Sequence, residues 1–374
     1  MKFTIDRELL QSTLQNVARG LSTKTPMPVL MGIQIQASKE QLIFITTNKE
    51  ISIKIDLYTN DLVQVEEEGS CVVPGKYFVE IIKKLEGKII EFTLFEETTI
   101  KIISDRSDFT LIAYDKNNFP VHNFEFDCEP IRFSSGELKQ IIRQTTFATA
   151  TSETRIVLTS VNFKIEDANL CITATDSFRL AKKQTVLTTD VANLQVNIPG
   201  KALEEFGKII EDQNDQILLY ILNNKALFKY KNVSFMTRLV EGSYPDTSSL
   251  FPKEYLLNIK FNKNEIVSAV DRAALFANSD NLSIVKLTLN PDKSVEISSN
   301  STEIGKVVEE IYPISISDMM NFQIAFSTKY LIDALKSFDS KEISIHFTGE
   351  IKPAVIQSEN DANLVQLLLP VRVF

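Results

Sequence analysis

The sequence predicts an α+β protein made of three like domains in a row, and three repeated features support this. An amphipathic segment recurs at a constant spacing of 128 residues, and the apolar anchors that mark it are Leu10, Leu138 and Ile266. A second amphipathic segment follows each of these and opens on Lys76, Lys201 and Lys329. A proline closes each unit at a spacing of 125 residues: Pro120, Pro245 and Pro370. A period of this length matches a whole domain, because solenoid repeats are only about 20–50 residues long.

The repeat divides the chain into domains at residues 1–125, 126–250 and 251–374. No Pro/Ser-rich linker separates them, and only short joints near residues 115–130 and 246–258 connect them. We therefore expect the three domains to abut directly.

The first amphipathic segment of each domain predicts a helix with one polar face. In the first domain Leu10, Leu14, Val17 and Leu21 recur at helical spacing within residues 7–24. Residues 137–144 and 263–273 repeat this pattern, with polar side chains on the same face.

The second amphipathic segment predicts a further helix in each domain, at residues 76–85, 201–210 and 329–338. A Pro-Gly turn precedes the first two, and Ser327 or Thr328 is the expected cap of the third. The Pro-Gly-Lys motif also resembles the tail of a phosphate-binding loop, but it lacks the upstream glycine and the following Ser/Thr.

Alternating apolar runs between the helices predict β-strands. The clearest are QLIFITTN, ISIKIDL, IIEFTLF, ILLYILNNKALFKY, VKLTLN and EISIHF. Within the fourth of these, Asn223 and Asn224 predict a hairpin turn.

The composition is that of a globular protein, with 44% hydrophobic and 24% charged residues. No apolar run approaches the ~18 residues of a membrane span, and the N-terminal residues lack the pattern of a signal peptide, so we expect a cytoplasmic protein. The three cysteines, Cys71, Cys128 and Cys171, have no CxxC spacing. Buried thiols are thus favoured over disulfides or a zinc site.

Charge is distributed unevenly along the chain. The net charge is −9, yet the six predicted helical stretches contain 14 basic and 8 acidic residues, a net of +6. An acidic protein with basic helices can present one positive surface for sequence-independent contact with phosphates. The preference of Lys and Arg for helices explains the same pattern equally well.

The sequence offers little material for catalysis. His122 and His346 are its two histidines and lie far apart, and its 11 glycines leave little room for dinucleotide-binding loops. We expect no catalytic residues, no metal and no cofactor.

Five segments resemble the bacterial DNA polymerase sliding clamps, the beta subunits of DNA polymerase III: MKFTIDRELL, FPVHNF, TATDSFRLA, RLVEGSYPD and LLLPVRVF. The resemblance runs through the whole chain in order. It implies three domains of the DNA clamp fold and a head-to-tail homodimeric ring, with helices lining the hole and sheets outside. It also implies a non-catalytic processivity factor for DNA replication, which encircles double-stranded DNA without sequence preference within the DNA polymerase III holoenzyme.

The resemblance further implies a groove that binds short apolar peptide motifs of partner proteins. Its partners would be the DNA polymerase III alpha subunit, the clamp loader delta subunit, other polymerases, DNA ligase and mismatch repair proteins. The matching positions are Thr175, Arg179, Leu180, Pro245, Leu250, Leu369, Pro370, Val371 and Arg372. Ser177, Phe178 and Ser249 depart from residues common in the family.

Two more residue sets follow from the resemblance. The dimer interface would use Lys76, Arg106, Phe109, Leu111, Leu275, Phe276 and Glu303, with Lys306 interrupting the acidic set of the third domain. The DNA-facing residues would be Arg19, Lys24, Lys83, Lys139, Arg143, Lys201, Arg272 and Lys336.

The repeat spacing alone also fits a three-domain binding or scaffold protein that does not encircle DNA. The groove motifs and the joint strands distinguish the two hypotheses, since periodicity cannot tell Phe109 at an interface from Phe109 in a core.

Overall fold

The computed structural model describes residues 1–187, 192–211, 214–277, 283–301, 305–318 and 321–372. Within these ranges each third of the chain has the same order of elements: a strand, a helix, a group of strands, a second helix and three further strands. The α+β class and the threefold repeat are thereby confirmed.

The first third contains two helices, α1 (Arg7–Val17) and α2 (Gly75–Lys84). Its described strands are β1 (Lys2–Asp6), β2 (Gly32–Ala37), β3 (Gln41–Thr47), β4 (Ile51–Tyr58), β5 (Val63–Glu67), β6 (Gly69–Pro74), β7 (Ile89–Phe95), β8 (Thr99–Ser104) and β9 (Ser107–Ile112).

The second third contains α3 (Ser135–Thr145) and α4 (Gly200–Gly207). Its described strands are β10 (Ile131–Ser134), β11 (Ser160–Glu166), β12 (Asn169–Thr175), β13 (Arg179–Val186), β14 (Leu194–Pro199), β15 (Gln216–Leu222), β16 (Lys225–Tyr230) and β17 (Val233–Arg238).

The last third contains α5 (Lys263–Ala277) and α6 (Thr328–Lys336). Its described strands are β18 (Leu257–Asn262), β19 (Ile284–Leu289), β20 (Val295–Ser301), β21 (Gly305–Ile311), β22 (Ser315–Ile316), β23 (Phe322–Ser327), β24 (Glu342–Phe347), β25 (Ala354–Gln357) and β26 (Leu364–Leu368).

Strand pairing repeats as faithfully as element order does. The strand before the first helix of each third pairs antiparallel with the strand after the second helix, as β1 with β7, β10 with β15 and β18 with β24. The strand directly after the first helix also pairs with the strand directly before the second helix, as β2 with β6, β11 with β14 and β19 with β23. The three thirds therefore share one topology.

The residue contacts divide the chain into two compact units, and the division does not follow the thirds. The first unit comprises Met1–Leu138 and Glu205–Leu239. It contains a five-stranded sheet, β5-β1-β7-β8-β9, and an eight-stranded sheet, β10-β15-β16-β17-β4-β3-β2-β6. The larger sheet contains strands of both the first third and the second third of the chain, because β17 pairs with β4.

The second unit comprises Lys139–Glu204 and Val240–Phe374. Its nine-stranded sheet has the order β14-β11-β12-β13-β26-β25-β24-β18-β22, and its four-stranded sheet has the order β21-β20-β19-β23. Here β13 pairs with β26, which repeats the pairing of β4 with β17 one domain further along the chain.

The helix anchors that define the repeat lie in the cores, as the periodicity predicts. Leu10, Leu138 and Ile266 are all buried, and so are Leu14 and Val270. Aromatic side chains also pack between helix and sheet, for example Phe78 of α2 and Phe92 of β7, whose ring centroids lie 6.0 Å apart.

The first helix ends earlier than its sequence pattern predicts. α1 stops at Val17 and a short 3₁₀ helix, Ala18–Gly20, follows it, so Leu21 and Lys24 are not helical. The hydroxyl of Thr46 donates a hydrogen bond to the carbonyl of Val17 at 2.5 Å. Thr46 thereby satisfies a carbonyl that a longer helix would have used itself.

Among the other local predictions, the strands and the hairpin turn are confirmed, whereas two helix ends differ from those predicted. The predicted strands are confirmed, and Asn223, with φ of 53°, forms the turn between β15 and β16. α4 ends at Gly207, before the predicted residue 210, whereas α5 continues past residue 273. Ser327 occupies the N-cap position of α6, but its side chain makes no capping hydrogen bond.

Cys71 is buried, Cys128 and Cys171 are partly exposed, and all three are free thiols. Burial raises the pKa of Cys71 to about 12. None of the described helices is long and apolar enough to cross a membrane.

Candidate functional site

The predicted groove residues centre on the turn between β12 and β13, where a side chain fixes the backbone. Asp176 Oδ1 accepts hydrogen bonds from the N–H groups of Phe178 and Arg179, both at 2.9 Å. Thr175 Oγ1 accepts from Ser177 N–H at 3.1 Å and donates to the carbonyl of Arg179 at 2.7 Å. Ser177 is left-handed, with φ of 78°. These bonds make a rigid turn of the Asx type.

Arg179 holds this turn in place. Its side chain is only 7% exposed and forms ion pairs with Asp176 at 3.0 Å and Asp333 at 2.7 Å. Its guanidinium also lies 4.3 Å from the ring centre of Tyr330. A cation with two carboxylate partners and an aromatic partner positions its neighbours, and it offers little free charge to a ligand.

The C-terminal segment runs beside the turn. Leu369 N–H donates to the carbonyl of Phe178 at 2.9 Å, and Val371 N–H donates to the carbonyl of Ala325 at 2.8 Å. The ring of Phe178 is 59% exposed and stacks on Tyr330 with centroids 6.5 Å apart. Leu369 and Phe178 together form an exposed apolar surface next to the turn.

A cavity of about 530 Å³ opens nearby in the same unit, within the size range of ligand pockets. The predicted residue Leu250 lines it and is exposed. The other lining residues are Ser249, Phe251, Pro252, Glu254, Tyr255, Leu256, Thr348, Lys352 and Pro353. Aromatic, aliphatic and proline side chains with a few polar groups suit an apolar peptide side chain.

Leu180 lies beneath this surface. It is 2% exposed and packs in a cluster with Val355 and Leu367, which Phe251 and Tyr255 cover. Leu180 thus supports the floor of the cavity and does not form an open wall.

The remaining predicted groove residues are more scattered. Pro245 lines a different, polar cavity of about 410 Å³, together with Tyr244. The Tyr244 hydroxyl accepts a hydrogen bond from Thr175 N–H at 3.0 Å, and burial raises the pKa of Tyr244. Pro370 and Val371 are half-buried, and Arg372 is exposed.

Sequence reasoning did not assign a role to Phe178, Phe251 or Tyr330. Each lies next to a matched motif, but no periodicity distinguishes an exposed aromatic ring in a turn from a buried one. Phe178 stood out in the sequence only as a departure from the family pattern.

Two predicted interface residues of the first unit, Phe109 and Leu111, lie on an edge strand of their sheet. β9 pairs with β8 alone within the described residues, and all of its residues are at least partly exposed. Phe109 is exposed, and Leu111, two positions along the strand, is half-buried on the same face. Arg106, which directly precedes β9 in the sequence, is exposed, and so is Lys76, which lies on α2.

The predicted interface residues of the second unit lie near another free edge. β21 forms the edge of the four-stranded sheet, and its Val308 is exposed. Leu275 is 68% exposed and Phe276 is half-buried, both near the end of α5. Glu303 lies outside the described residues.

Half of the predicted DNA-facing cations already have carboxylate partners. These pairs are Arg19 with Glu205, Arg143 with Asp339, Arg272 with Glu309, and Lys336 with Asp271. The Arg272–Glu309 pair is bidentate, at 2.9 and 2.7 Å, and Arg272 lowers the pKa of Glu309. Lys24, Lys83 and Lys201 are exposed and have no ion pair within the described ranges, whereas Lys139 is half-buried.

Comparison with known proteins accounts for the threefold repeat. Three family models match consecutive parts of the chain: the N-terminal domain of the DNA polymerase III beta subunit at residues 1–123, its central domain at 132–246 and its C-terminal domain at 248–372. The beta sliding clamps of Staphylococcus epidermidis and Staphylococcus aureus are 39% identical, with all of each chain covered. The chain belongs to the DNA polymerase III beta subunit family.

Solved beta subunits share the fold as well. The DNA polymerase sliding clamp of Bacillus subtilis is 40% identical with a TM-score of 0.93, and the DNA polymerase III beta chain of Streptococcus pneumoniae is 30% identical with a TM-score of 0.92. Both matches cover 100% of each chain. The chain therefore has three DNA clamp domains.

Family membership also decides the question of catalysis. The beta subunit is a processivity factor with no catalytic activity, so the chain is not an enzyme. Among the described residues, no cluster of three His, Cys, Asp or Glu side chains is placed to hold a metal ion.

Proposed function

We propose that two copies of this chain close into a ring that encircles double-stranded DNA as a sliding clamp and tethers the replicative polymerase for processive DNA replication. Relatives of this chain carry the name beta sliding clamp, and the solved structures that the chain resembles include a DNA polymerase sliding clamp. One structural observation supports the ring directly: the two strand edges that the internal repeat leaves unpaired.

The repeat predicts which edges should meet. The third strand after the first helix of a domain pairs with the last strand of the next domain, as β4 with β17 and β13 with β26. The strand equivalent to β4 and β13 in the last domain is β21, and the strand equivalent to β17 and β26 in the first domain is β9. In the part of the chain that the structure describes, both strands lie at the edge of their sheet. A second copy of the chain supplies the missing partner for each, which gives a head-to-tail homodimer.

Strand addition at these edges has suitable chemistry. Backbone groups along β9 and β21 would complete each other's hydrogen bonds, while Phe109 and Leu111 of one copy would cover Leu275 and Phe276 of the other. Lys76 and Arg106 would form charge pairs at the rim, and Glu303 is their proposed partner.

The size of such a ring fits a DNA duplex. Twelve helices spaced ~9 Å apart would give a circle ~34 Å in diameter, and subtracting a helix radius of ~5 Å per side leaves ~24 Å clear. A duplex would pass with water around it. The DNA-facing set Arg19, Lys24, Lys83, Lys139, Arg143, Lys201, Arg272 and Lys336 would then attract phosphates without reading bases.

For partner proteins we propose the groove of the second unit. Leu369, Phe178 and the cavity at Leu250 offer apolar positions for a peptide tail, while Thr175, Arg179, Leu180, Pro245, Pro370, Val371 and Arg372 shape and support it. The partners we propose are the DNA polymerase III alpha subunit, the clamp loader delta subunit, other polymerases, DNA ligase and mismatch repair proteins. We propose that the protein acts in the cytoplasm. We also propose that its three domains span residues 1–125, 126–250 and 251–374.

The dimer is tested by charge at the joint. Phe109→Asp and Leu275→Asp together should convert a dimer of the 42.3 kDa chain into folded monomers, because closure would bury unpaired carboxylates. Light scattering measures the mass, and Val186→Asp, at an exposed position away from either edge, is the control. A monomeric wild-type protein at micromolar concentration would contradict the ring.

Encirclement is tested by topology. The protein is loaded onto nicked circular DNA with a clamp loader and ATP, the salt is raised, and retention is followed by gel filtration before and after the circle is cut. A ring should stay on the circle in high salt and leave the linear form, since only linear DNA has an end to slide from. Equal retention on both forms would indicate direct binding. Loss from both forms, after verified loading, would favour a scaffold protein that does not encircle DNA.

A further inference from the structure

The turn between β3 and β4 in the first domain has the same backbone hydrogen bonds as the groove turn between β12 and β13. Asn48 Oδ1 accepts from the N–H groups of Glu50 at 3.1 Å and Ile51 at 2.8 Å. Lys49 N–H donates to Thr47 Oγ1 at 3.3 Å. Lys49 is left-handed with φ of 77°, where the groove turn has a φ of 78°. The two turns are therefore equivalent positions of the repeat.

The neighbouring segments match too. Arg238 N–H, at the end of β17, donates to the carbonyl of Glu50 at 3.1 Å, just as Leu369 N–H donates to the carbonyl of Phe178. The segment at residues 120–122 lies 125 positions before that at 245–247, and both begin with proline. The first unit thus contains a second copy of the groove framework.

The side chains on this framework are different in kind. In place of Ser177, Phe178, Leu180, Pro353 and Leu369, the first unit has Lys49, Glu50, Ser52, Lys225 and Arg238, respectively. Four apolar positions have become charged or polar, and the result is predominantly cationic. Any ligand of this second framework must differ from the apolar peptide proposed for the groove.

A cavity of about 370 Å³ lies at this framework, and we call it the first-turn pocket. Its lining residues are Thr47, Lys49, Glu50, Ser52, Pro120, Val121, His122, Lys225, Met236, Thr237 and Arg238. The side chains of Lys49, Lys225 and Arg238 form no hydrogen bond or ion pair within the described part of the chain. Three unpaired cations against one carboxylate, that of Glu50, give the pocket a positive potential.

His122 adds a further polar group. Its Nδ1 lies 3.4 Å from Ser52 Oγ, which in turn lies 2.9 Å from Thr47 Oγ1. Its Nε2 is buried and has no hydrogen-bond partner among the described residues. Burial, together with Lys225 and Arg238, lowers the pKa of His122. A buried ring nitrogen without a hydrogen bond lowers the stability of the protein unless a ligand supplies that bond.

We propose that the first-turn pocket is a second docking site, which binds a peptide segment of a partner protein that carries an acidic side chain beside an apolar one. Lys49, Lys225 and Arg238 would pair with the carboxylate, and Pro120, Val121 and Met236 would cover the apolar side chain. A small inorganic anion would satisfy the cations but leave Val121, which is 99% exposed, uncovered. The peptide class rests on the proposed function of the equivalent groove.

The two histidines make the two sites separately visible. His122 lines the first-turn pocket, whereas His346 lies with its ring 4.8 Å from that of Tyr255, which lines the cavity at Leu250. With ¹³C-labelled histidine, the peptide acetyl-Asp-Leu-Phe-Asp-amide should shift the ring signals of His122 and raise its pKa, because a carboxylate favours the imidazolium. Acetyl-Lys-Leu-Phe-Lys-amide should leave His122 unchanged.

Charge reversal tests the assignment of residues. Lys49→Glu and Arg238→Glu should each weaken binding of the acidic peptide about tenfold, because each removes an attraction and adds a repulsion. Lys88→Glu, an exposed position with the same change in charge, is the matched control and should leave the affinity unchanged. Deletion of residues 370–374 should abolish the binding of a polymerase-tail peptide and preserve the His122 response.

These results separate the two sites. An acidic peptide that shifts only His346, or neither histidine, would overturn the second docking site and leave the groove proposal intact. Equal weakening by Lys88→Glu would also overturn it, since binding would then follow net charge alone. A His122 response without any groove binding of the tail peptide would instead contradict the proposed groove.

Discussion

The turn at β3–β4 and the turn at β12–β13 have one backbone and two surfaces. Asn48 and Asp176 make the same pair of backbone hydrogen bonds, and residues 49 and 177 adopt the same left-handed conformation. The first surface is cationic, and the second exposes Phe178 and Leu369. The repeat thus fixes a framework that a few outward side chains can adapt to different ligands.

The two turns are also stabilised in different ways. Arg179, the first residue of β13, is anchored by Asp176 and Asp333. At the equivalent place in β4 the chain has Ile51, which is buried in the core. One turn thus depends on partly desolvated charges, whereas the other depends on apolar burial.

The largest effect should come from Leu180, at the floor of the groove. Leu180→Ala should lower the free energy of unfolding by about 2–5 kcal/mol, because it leaves a cavity under Phe251 and Tyr255. Ser52→Ala, at the equivalent position, should cost only about 1 kcal/mol through its lost hydroxyl contacts. Urea denaturation measures both.

Val186→Ala, at an exposed position, is the control and should change stability little. Both residues are buried, but only Leu180 packs in an apolar cluster, so equal losses for Leu180→Ala and Ser52→Ala would contradict the role assigned to that cluster.

The next effect distinguishes charge from turn geometry. Asp176→Asn keeps the acceptor oxygen but removes one partner of the enclosed Arg179, so it should cost about 1–3 kcal/mol. Asn48→Asp keeps the same acceptor at an exposed turn and should change stability by less than about 0.5 kcal/mol. Thermal unfolding compares them, and a larger loss for Asn48→Asp would refute the assigned role of the ion pair.

A third pair of variants tests whether the backbones are the same. Lys49→Val and Ser177→Val each place a β-branched side chain in a left-handed conformation, which should cost about 1–2 kcal/mol in either turn. Equality of the two losses in urea denaturation is the expected result. A clear difference between them would show that the turns respond differently despite equal φ angles.

The smallest effect concerns pH. The pKa of His122 is lowered from 6.5 in the folded protein, so the unfolded chain binds the proton more readily. The stability associated with the neutral ring is therefore lost as the pH falls below about 6.5. The equivalent position of the groove turn is Thr247, which does not titrate.

His122→Gln should accordingly lose less stability than the wild type between pH 7 and pH 5. Urea denaturation at pH 7, 6 and 5 measures this. Identical losses in the variant and the wild type would contradict the assigned burial of the ring.

Much of the fold could be predicted because the apolar pattern that marks each helix and strand is local in sequence. Leu10, Leu138 and Ile266 mark helices whose apolar faces enter the cores, and the alternating runs form the expected strands. The end of α1 could not be predicted, because the hydroxyl that takes the Val17 carbonyl belongs to Thr46 in a distant strand. Such tertiary contacts leave no local signal.

The candidate sites were less predictable for the same reason. The motif around Leu180 located the groove region, but the cover of Phe251 and Tyr255 over Leu180 depends on packing between distant segments. Likewise the alternation in β9 reads as a strand, and only its place in the sheet order shows that it is an edge. The first-turn pocket has no local signal either, because segments far apart in sequence line it.

The paired cations of the proposed ring lining affect how easily it would move along DNA. A phosphate that approaches Arg272 must compete with Glu309, and one that approaches Lys336 must compete with Asp271. Each contact is then an exchange of one anion for another, and little free energy separates one position on the duplex from the next. Such a lining would keep the energy landscape along the DNA smooth and the friction of sliding low.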